Sequence, residues 1–427
     1  MRKHYRSIIL LIWLVCSFLC FVGCRNMSSE IQQKISGSSE VEASMTISSE
    51  LLNPRSTITM DSILDVVEYI PLETNDSAII GRIDEIVLTN DLIIILDKTQ
   101  TESIFLFNRT GEFIAKVNRK GKGPGEYMQP SDITVDEQLQ ELYLLNEFPS
   151  KVIVYDFEGN FIKEFSLPFR FLAFESIGDN EFVFTNEPNN RKYGNPVGKV
   201  NNIFSKLFFI LKGGSTQEGG GPLQTAYDEN IITKAHFGLM KNTEIIYHPL
   251  FSDTIFGLKK YESYPLLVVD LENNSIPIED VSGLNRDEFY KVCAENGFYY
   301  LDGQYAHTDE FITFYIRSVK EDVGYNVIYN RKNKDHLIFL NSISTLFNPC
   351  NLIAKTSRGK YFVSVVPASR IVTVKMAFET FDEVSEEVLQ FTPKDSLLDM
   401  VDENSNPVLC FFKLRPEKVN MKSVYYE

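Results

Sequence analysis

Histidine and cysteine are scarce in this sequence, and neither is spaced as a local metal site requires. The 427 residues include five histidines and six cysteines. No two histidines lie two or four residues apart, and the cysteines form no Cys-x-x-Cys pair, so the short spacings that bring two metal ligands together are absent. The sequence therefore predicts no cofactor. A divalent metal ion would need ligands gathered from distant segments.

Catalytic motifs are also missing. The sequence contains no Gly-x-Ser-x-Gly stretch of the kind that exposes a nucleophilic serine. The glycine-rich stretch 121–127 lacks the Gly-Lys-Ser/Thr ending of a phosphate-binding P-loop, and Glu126 stands where a dinucleotide-binding fingerprint needs its third glycine. These absences incline the prediction towards a binding protein and leave enzymatic activity open.

The chain has fewer basic than acidic residues, and its formal net charge is −16 at pH 7. A surface of this charge repels nucleic-acid phosphates, so the sequence argues against nucleic acid as a partner. Apolar residues, in contrast, make up 44% of the chain, which is enough to fill the core of a large domain.

The N-terminus has the pattern of a secretory signal. Three basic residues among the first six precede an apolar run over 8–22, which is short for a membrane-spanning helix. Residues 21–24, Phe-Val-Gly-Cys, resemble a lipobox, which implies a signal peptide over 1–23 and lipid attachment at Cys24. The alternatives are an ordinary signal peptide cleaved elsewhere and an uncleaved anchor. Loss of the three basic residues would leave a mature chain of charge −19.

Two consecutive segments repeat one pattern of short strands and turns. Each contains two β-branched or aromatic runs and a turn closed by glycine, which reads as a β-hairpin. Equivalent positions are 48 residues apart, as in Phe107 and Tyr155, Gly111 and Gly159, and Phe113 and Phe161. A repeat of roughly 40 to 50 residues built from short strands is typical of β-propeller blades.

The second repeat is similar to a known type. It contains Gly-Pro-Gly-Glu-Tyr at 123–127, Asp-Ile-Thr-Val-Asp at 132–136, Val-Ile-Val-Tyr-Asp at 152–156 and Gly-Asn-Phe-Ile at 159–162. Through these motifs it resembles an NHL-type repeat, and the whole chain resembles the six-bladed, TolB-like β-propeller lipoproteins of Gram-negative envelopes, most of which lack an assigned activity.

The resemblance implies an all-β fold, a six-bladed β-propeller of four-stranded antiparallel blades. Seven blades are the alternative, because the span 61–414 also divides into seven units of about 50 residues. The resemblance further implies a lipid-anchored protein of the cell envelope, at the outer membrane of a Gram-negative bacterium. It leaves the leaflet open.

Four parts of the chain follow from this interpretation: the signal peptide 1–23, a flexible tether 24–58, the β-propeller domain 59–415 and a C-terminal tail 416–427. A strand near 66–73 is expected to complete the last blade. Within the domain, the sequence predicts a helix over 285–296 from its apolar spacing and a strand over 372–378. The cysteines at 293, 350 and 410 are interpreted as small buried residues, with one disulfide as the alternative.

Residues in and beside the glycine-rich stretch are the first candidates for ligand binding. Arg119, Lys120, Lys122 and Tyr127 accompany backbone N–H groups that could hold a carboxylate, sulfate or phosphate. The alternative is that the cations balance nearby acids such as Glu112 and Glu126, and this alternative is favoured.

His248 and His307 are weaker candidates, for a metal site at the central channel of a propeller. Each is more readily interpreted as a single surface or packed histidine. The leading hypothesis is a non-catalytic, lipid-anchored module that binds a ligand, an envelope protein, a peptide or a glycan. The alternative is an envelope metal-dependent lyase or hydrolase with its site at the central channel.

Overall fold

The protein is described by a computed structural model that covers most of residues 43–426. The gaps are 168–170, 172, 186–202, 205–206, 211–215, 219–223, 226–244, 249–251, 260–261, 278–283, 285, 345–347, 351–353, 355, 382–385 and 421–423. The expected signal peptide and Cys24 lie outside the described residues, as does most of the glycine-rich segment 213–222.

Six four-stranded sheets are present among the described residues, and we label them A to F in chain order. Sheet A contains β4 (Glu85–Leu88), β5 (Leu92–Asp97), β6 (Ser103–Asn108) and β7 (Phe113–Val117), and sheet B contains β8 (Pro130–Asp136), β9 (Glu141–Asn146), β10 (Lys151–Asp156) and β11 (Phe161–Ser166). Sheet C contains β12 (Ala173–Gly178), β13 (Glu181–Thr185), β15 (Leu207–Ile210) and β16 (Thr216–Glu218), and sheet D contains β18 (Ile245–Tyr247), β19 (Thr254–Lys259), β20 (Glu262–Asp270) and β1 (Ala43–Thr46). Sheet E contains β21 (Tyr299–His307), β22 (Phe311–Ser318), β23 (Val323–Asn330) and β24 (His336–Phe339), and sheet F contains β26 (Thr356–Arg358), β27 (Tyr361–Val366), β28 (Val408–Leu414) and β3 (Leu64–Pro71).

Two smaller sheets lie beside these six. β14 (Ile203–Phe204) pairs with β17 (Gln224–Thr225), and β2 (Ser56–Thr59) lies between β25 (Asn341–Ile343) and β29 (Tyr425–Tyr426).

The sheets are arranged face to face around a common axis. The first strands contact one another in series, β21 with β26, β26 with β4, β4 with β8, and β8 with β12. Every residue of β5 is buried, because sheet A packs between two neighbours and has no solvent-facing side there. Buried side chains of adjacent sheets form common clusters, such as Leu106 of sheet A with Ile133 and Ile153 of sheet B. This architecture is a β-propeller, as the repeat predicted.

Sheet F joins the two ends of the domain. β3 pairs antiparallel with β28 over Leu64 to Pro71, so an N-terminal strand completes a sheet whose other strands come from the C-terminal part. This confirms the expected closure of the ring by an early strand. The hydrogen bonds of this pair cover the backbone of β28, and β3 becomes the outermost strand of the sheet.

The predicted tether overlaps with the folded domain. β1 pairs in parallel with β20, and β2 pairs in parallel with β25. All of β1 and all but the last residue of β2 belong to the segment 24–58 that the sequence assigned to the tether. Met45, Ile47 and Leu52 are buried against sheets D and E. These few apolar residues anchor the segment, although the Ser-rich and Glu-rich sequence around them hides the pattern.

The predicted C-terminal tail also packs on the domain. A 3-10 turn over Pro416–Lys418 follows β28, and β29 pairs antiparallel with β2. Val419 and Val424 are buried in the cluster formed around sheet F.

Five α-helices occur in the described residues, α1 (Met60–Ile63), α2 (Arg286–Asn296), α3 (Ala368–Thr380), α4 (Glu386–Leu389) and α5 (Asp395–Met400), together with a 3-10 turn at Glu272–Asn274. α2 confirms the predicted helix. The predicted strand over 372–378 is wrong, since these residues belong to α3. The buried positions Ala368, Ile371, Val374 and Ala377 are three apart, which is helical spacing.

The hairpin turns follow the repeat in detail. In sheet A the Asn108 side chain accepts hydrogen bonds from the N–H groups of Thr110 and Glu112, and Gly111 has φ +89°. In sheet B, Asp156 accepts from the N–H of Asn160 and Gly159 has φ +83°. Both glycines are needed because the left-handed conformation is strained for a residue with Cβ.

Two faces can be defined from the strand ends. The segments that follow the first and third strands of the sheets lie on what we call the hairpin face. The segments that follow the second strands, or that precede the first strands, lie on what we call the connector face. Among the described residues, the connector face carries 72–84, 118–129 and 147–150. The helices between β27 and β28 pack beside sheet F, where the Phe391 ring lies 6.0 Å from the guanidinium carbon of Arg415.

The three cysteines of the described residues are buried and form no disulfide with one another. Cys293 lies in α2, and Cys410 lies in β28, where it pairs with Ser364. Cys350 Sγ is 3.8 Å from the hydroxyl of the same serine. They therefore pack as small buried side chains, as the sequence predicted.

Candidate functional site

A pocket of about 330 Å³ opens on the hairpin face between sheets E and F. Its walls come from the turn after β21, the turn after β23, the turn after β26 and the chain that follows β28. Charged residues dominate its lining: Asp65, Asp309, Glu310, Lys332, Lys360, Lys413, Arg415 and Glu417. We call this cavity the hairpin-face pocket.

Two ion pairs fix opposite walls of the hairpin-face pocket. On the side of sheet E, Lys332 Nζ lies 3.1 Å from the Glu310 carboxylate. On the side of sheet F, Arg415 Nη2 lies 2.7 Å from Asp65 Oδ1. The same guanidinium also donates to the backbone carbonyls of Asp61 and Ser62, at 3.2 and 3.3 Å. These four charged side chains are therefore already engaged and shape the pocket.

Two further cations have no carboxylate partner among the described residues. Lys360 is exposed in the turn between β26 and β27. Lys413 is half-buried on β28, and its Nζ lies 4.7 Å from the ring centroid of Tyr361 on the neighbouring strand. The ring supports the ammonium group without neutralising it. Both ammonium groups can therefore meet an anion in the hairpin-face pocket, which Asp309 and Glu417 also line.

The floor of the pocket is buried and fixed. Phe311 and Leu414 are buried side chains from β22 and β28. Thr308 is buried too, and its hydroxyl accepts a hydrogen bond of 3.1 Å from the Phe311 N–H. A small ligand would therefore meet an apolar base with charged walls, a lining more charged than that of most small-molecule sites.

A second cluster of charge lies on the same face at the central axis. Arg358, at the end of β26, donates to the Leu88 carbonyl and lies 3.0 Å from Asn90 Oδ1 of sheet A. It also forms an ion pair of 2.8 Å with Glu137 of sheet B. One guanidinium thereby joins three sheets, and we interpret this cluster as a structural clamp.

The structure places the glycine-rich stretch on the connector face, away from the hairpin-face pocket. Its amide groups are already used. Gly123 donates to the Glu126 carboxylate at 2.8 Å, and Gly125 donates to Glu164 at 3.0 Å. Burial acts to raise the pKa of Glu164, but hydrogen bonds from Lys151 and from the Gly125 N–H outweigh it and keep that pKa below its ordinary value. The Gly123 and Gly125 amides of the loop thus hold internal carboxylates, and binding of an external anion there stays a prediction.

The side chains predicted around that loop do not converge on one point. Lys120 forms an ion pair with Glu102, while Arg119 and Lys122 are exposed. Tyr127 is buried, and its hydroxyl lies 2.8 and 3.0 Å from the carbonyl oxygens of Glu102 and Val117. Burial raises the pKa of Tyr127 to about 12.

These contacts assign Tyr127 a structural role. The favoured alternative, that the loop cations balance local acids, describes Lys120 correctly but with Glu102 as the partner.

The two candidate histidines are both buried. His248 Nε2 lies 2.8 Å from the Ser252 carbonyl, and burial lowers the pKa of His248 to about 4. His307 ends β21, and its carbonyl accepts a hydrogen bond from Ser357. No group of three or more His, Cys, Asp or Glu side chains suited to hold a metal ion occurs among the described residues.

Buried carboxylates near the axis are engaged with neighbouring strands. Asp132 of β8 accepts a hydrogen bond of 2.7 Å from the Phe174 N–H of β12. Thr134 of β8 donates to Glu175 of β12. These side chains join sheets B and C, which accounts for their burial.

Sequence reasoning missed the hairpin-face pocket because its residues are far apart in the chain. Asp65, Thr308, Lys332, Lys360 and Lys413 carry no shared motif. The available signal was weak, namely lysines at or near strand ends on the same side of sheets E and F.

The four-stranded sheets, whose first strands contact one another in series, define a β-propeller. Over residues 44–413 the sequence matches the family described as a domain of unknown function, DUF4934, and the chain belongs to that family. No curated protein matches the sequence. No helix in the described part of the chain has the length and hydropathy needed to cross a bilayer.

Solved structures share the fold. A Bacteroides fragilis protein described as exported aligns with a TM-score of 0.62 at 16% identity, covering 87% of this chain and 99% of that one. A DUF4221 family member from Bacteroides vulgatus aligns with a TM-score of 0.46 at 11% identity, covering 82% and 98%. The β-propeller domain of Cps50 (Swd1) aligns with a TM-score of 0.33 at 10% identity, covering 66% and 92%. Only the first similarity is close enough to support the fold, and at that identity it says nothing of activity.

Proposed function

We propose that this chain is a six-bladed, lipid-anchored β-propeller of the cell envelope that binds a small anionic ligand without converting it. The six four-stranded sheets, with first strands in serial contact, support six blades. The basic and then apolar N-terminus, followed by Cys24, supports export and lipid attachment. Similarity in fold to a protein described as exported agrees with this location. We place the anchor at the outer membrane.

The observation that carries the binding role is the hairpin-face pocket with its two unpaired lysines. A volume of about 330 Å³ is near the lower end of small-molecule sites, so the ligand is small. Lys332 and Arg415 already have carboxylate partners, whereas Lys360 and Lys413 have none among the described residues. An anionic group placed between the two lysines would satisfy them and leave the fixed ion pairs intact.

The ligand class that fits is a carboxylated fragment of an envelope glycan or peptide. A carboxylate would approach Lys360 and Lys413, while Phe311 and Leu414 would contact the body of the ligand. A protein partner could present such a group only on a narrow projecting segment, because the cavity is small. We therefore favour a free glycan or peptide over a broad protein interface.

The test is calorimetric titration with matched pairs of ligands. Glucuronate would be compared with glucose, and a dipeptide with a free C-terminus would be compared with its amide. We expect at least one carboxylated member to bind more tightly than its neutral partner, and the double variant Lys360→Gln, Lys413→Gln to weaken it at least tenfold. Lys394→Gln is the control, because Lys394 is exposed just before α5 and does not line the pocket. Equal affinity within every pair would contradict the proposal, and a stoichiometric metal ion in the purified protein would favour the hydrolase or lyase instead.

A further inference from the structure

We propose that Cys350 and Cys410 are a redox-active pair, which is a dithiol in the structure and becomes a disulfide in the exported protein. The assignment rests on the proposed function in one respect, the export of the chain, because disulfides persist outside the cytosol. It goes beyond the proposed function by naming a covalent modification site and the two residues that form it.

The register of sheet F brings both cysteines to one place. Ser364 of β27 pairs directly with Cys410 of β28, and Cys410 pairs directly with Tyr69 of β3. Directly paired residues of antiparallel strands project from the same face of a sheet. Cys350 lies over this row, since its Sγ is 3.8 Å from the Ser364 hydroxyl. One buried serine thus lies beside both cysteines.

The two thiols also interact directly. Burial raises the pKa of the Cys410 thiol well above its ordinary value, and a hydrogen bond with Cys350 raises it further. Thiols in hydrogen-bonding contact need only side-chain rotation and small backbone shifts to reach the S–S bond length of about 2.05 Å.

The backbone at Cys350 is held in position by buried polar contacts. The Cys350 N–H donates to the Asn348 side chain at 3.0 Å, and the Asn348 amide group donates to the Asp61 carboxylate of α1. Asn348 is itself buried. The contact between Cys350 and the row on sheet F is therefore supported from the opposite side by α1.

Cys293 provides an internal control. It lies in α2 and packs in a separate buried cluster with Phe289 and Tyr247, whereas Cys350 and Cys410 share the cluster around sheet F. Burial alone raises the pKa of Cys293 to about 12, with no contribution from another cysteine. The chain thus contains a buried cysteine that should stay a thiol under conditions that oxidise the pair.

The bond would form by exchange with an external disulfide, either a protein disulfide of the envelope or glutathione disulfide. The Cys350 side chain is the more exposed of the two, so its thiolate attacks one sulfur of the oxidant, forming a mixed disulfide and releasing a first thiolate. The Cys410 thiolate then attacks the Cys350 sulfur, which closes the internal bond and releases the second thiolate. Two electrons pass to the oxidant, and the two protons lost by the cysteines are taken up by the released thiolates.

The disulfide would join two parts of the chain that are about 60 residues apart. Cys350 precedes sheet F, whereas Cys410 lies within β28, the strand that holds β3 and thereby closes the ring. The loop closed by the bond contains the helices α3, α4 and α5. Cross-linking a loop of this length lowers the entropy of the unfolded chain, so the oxidised protein should be the more stable form.

Peptide mass spectrometry tests the pairing. The full-length chain would be purified, reduced, freed of reductant and incubated with glutathione disulfide, once folded and once during refolding from urea, because burial slows exchange in the folded state. Free thiols would be alkylated before digestion. We expect one cross-linked peptide pair, Cys350 with Cys410, and an alkylated Cys293. A link that involves Cys293, or no link between Cys350 and Cys410 in either incubation, would overturn the proposal.

Urea unfolding gives a second readout that starts from the unsubstituted protein. Oxidation should raise its unfolding midpoint by roughly 0.5–1 M, and dithiothreitol should reverse the change. Cys293→Ser should keep this dependence on reductant, and Cys350→Ser should lose it. A dependence that persists in Cys350→Ser would overturn the assignment of the pair.

The state in the cell is read by acid quenching and alkylation, followed by the same peptide analysis. We expect the link in chains whose N-terminal peptide shows that the signal peptide has been removed. Processed chains with free thiols at Cys350 and Cys410 would overturn this proposal and leave the proposed function standing. An unprocessed N-terminus would instead contradict the export on which both proposals depend.

Discussion

Replacing Gly111 by alanine should destabilise the ring at the contact between sheets F and A. Gly111 has φ +89°, and a Cβ at this position would overlap the carbonyl oxygen of Pro71, at the end of β3. The Gly111 carbonyl accepts a hydrogen bond of 2.8 Å from the Glu73 N–H, so the turn is held against the strand that closes the ring. An alanine would have to push Pro71 away and would weaken that hydrogen bond.

Two other glycines separate the cost of the backbone conformation from the cost of the contact. Gly178 has φ +88° but no atom within 4 Å of the point that a Cβ would occupy, and Gly159 has φ +83° with a Val117 methyl at 3.2 Å from that point. A left-handed conformation costs alanine roughly 1–2 kcal/mol in each case. The displaced strand end should add about 1–3 kcal/mol of packing strain at Gly111, and the weakened hydrogen bond about 1 kcal/mol. Gly111→Ala should therefore lose roughly 3 kcal/mol more than Gly178→Ala.

The assay is urea unfolding followed by far-ultraviolet circular dichroism, with the three alanine variants compared at the same pH and salt. We expect the midpoints to fall in the order Gly178→Ala, Gly159→Ala, Gly111→Ala, the last being the least stable, with similar slopes. Equal losses for Gly111→Ala and Gly178→Ala would refute the reasoning, because the two sites share a backbone conformation and differ in the contact. A steeper slope for one variant would show that its unfolded or folded state had changed as well.

Two further predictions concern stability. Arg358→Lys should lower the free energy of unfolding by about 1–2 kcal/mol, because lysine keeps the charge but cannot reach Glu137, Asn90 and the Leu88 carbonyl together. The expected loss is small because both partners of the ion pair are about one-third exposed. An unchanged unfolding midpoint would contradict the role of Arg358 as a clamp. Burial lowers the pKa of His248 from 6.5 to about 4. The stability that comes from keeping His248 neutral is therefore fully present above pH 6.5, and the free energy of unfolding falls by about 3 kcal/mol as the pH drops towards 4. His248→Gln should remove this part of the pH dependence, and identical pH profiles of the unfolding midpoint for the two proteins would exclude it.

Local sequence pattern was sufficient to predict the structure wherever a unit is built from residues that are neighbours in the chain. The hairpins at Gly111 and Gly159 depend on turn residues, and the helix α2 depends on apolar spacing within a few residues. All three elements were predicted. α3 was missed because Val372 and Val374 alternate with polar residues as a strand would. Only the packing of Ile371 and Val374 on one side distinguishes the helix.

The candidate site could not be predicted, because its physical basis lies in contacts between distant residues. The amides of the glycine-rich stretch are the clearest example. Glu164 occupies the Gly125 N–H from 39 positions further along the chain, so a loop that resembles an anion site is already filled. Conversely, Lys413 looks unremarkable in sequence, and becomes a candidate only when β28 brings it beside the turn after β26.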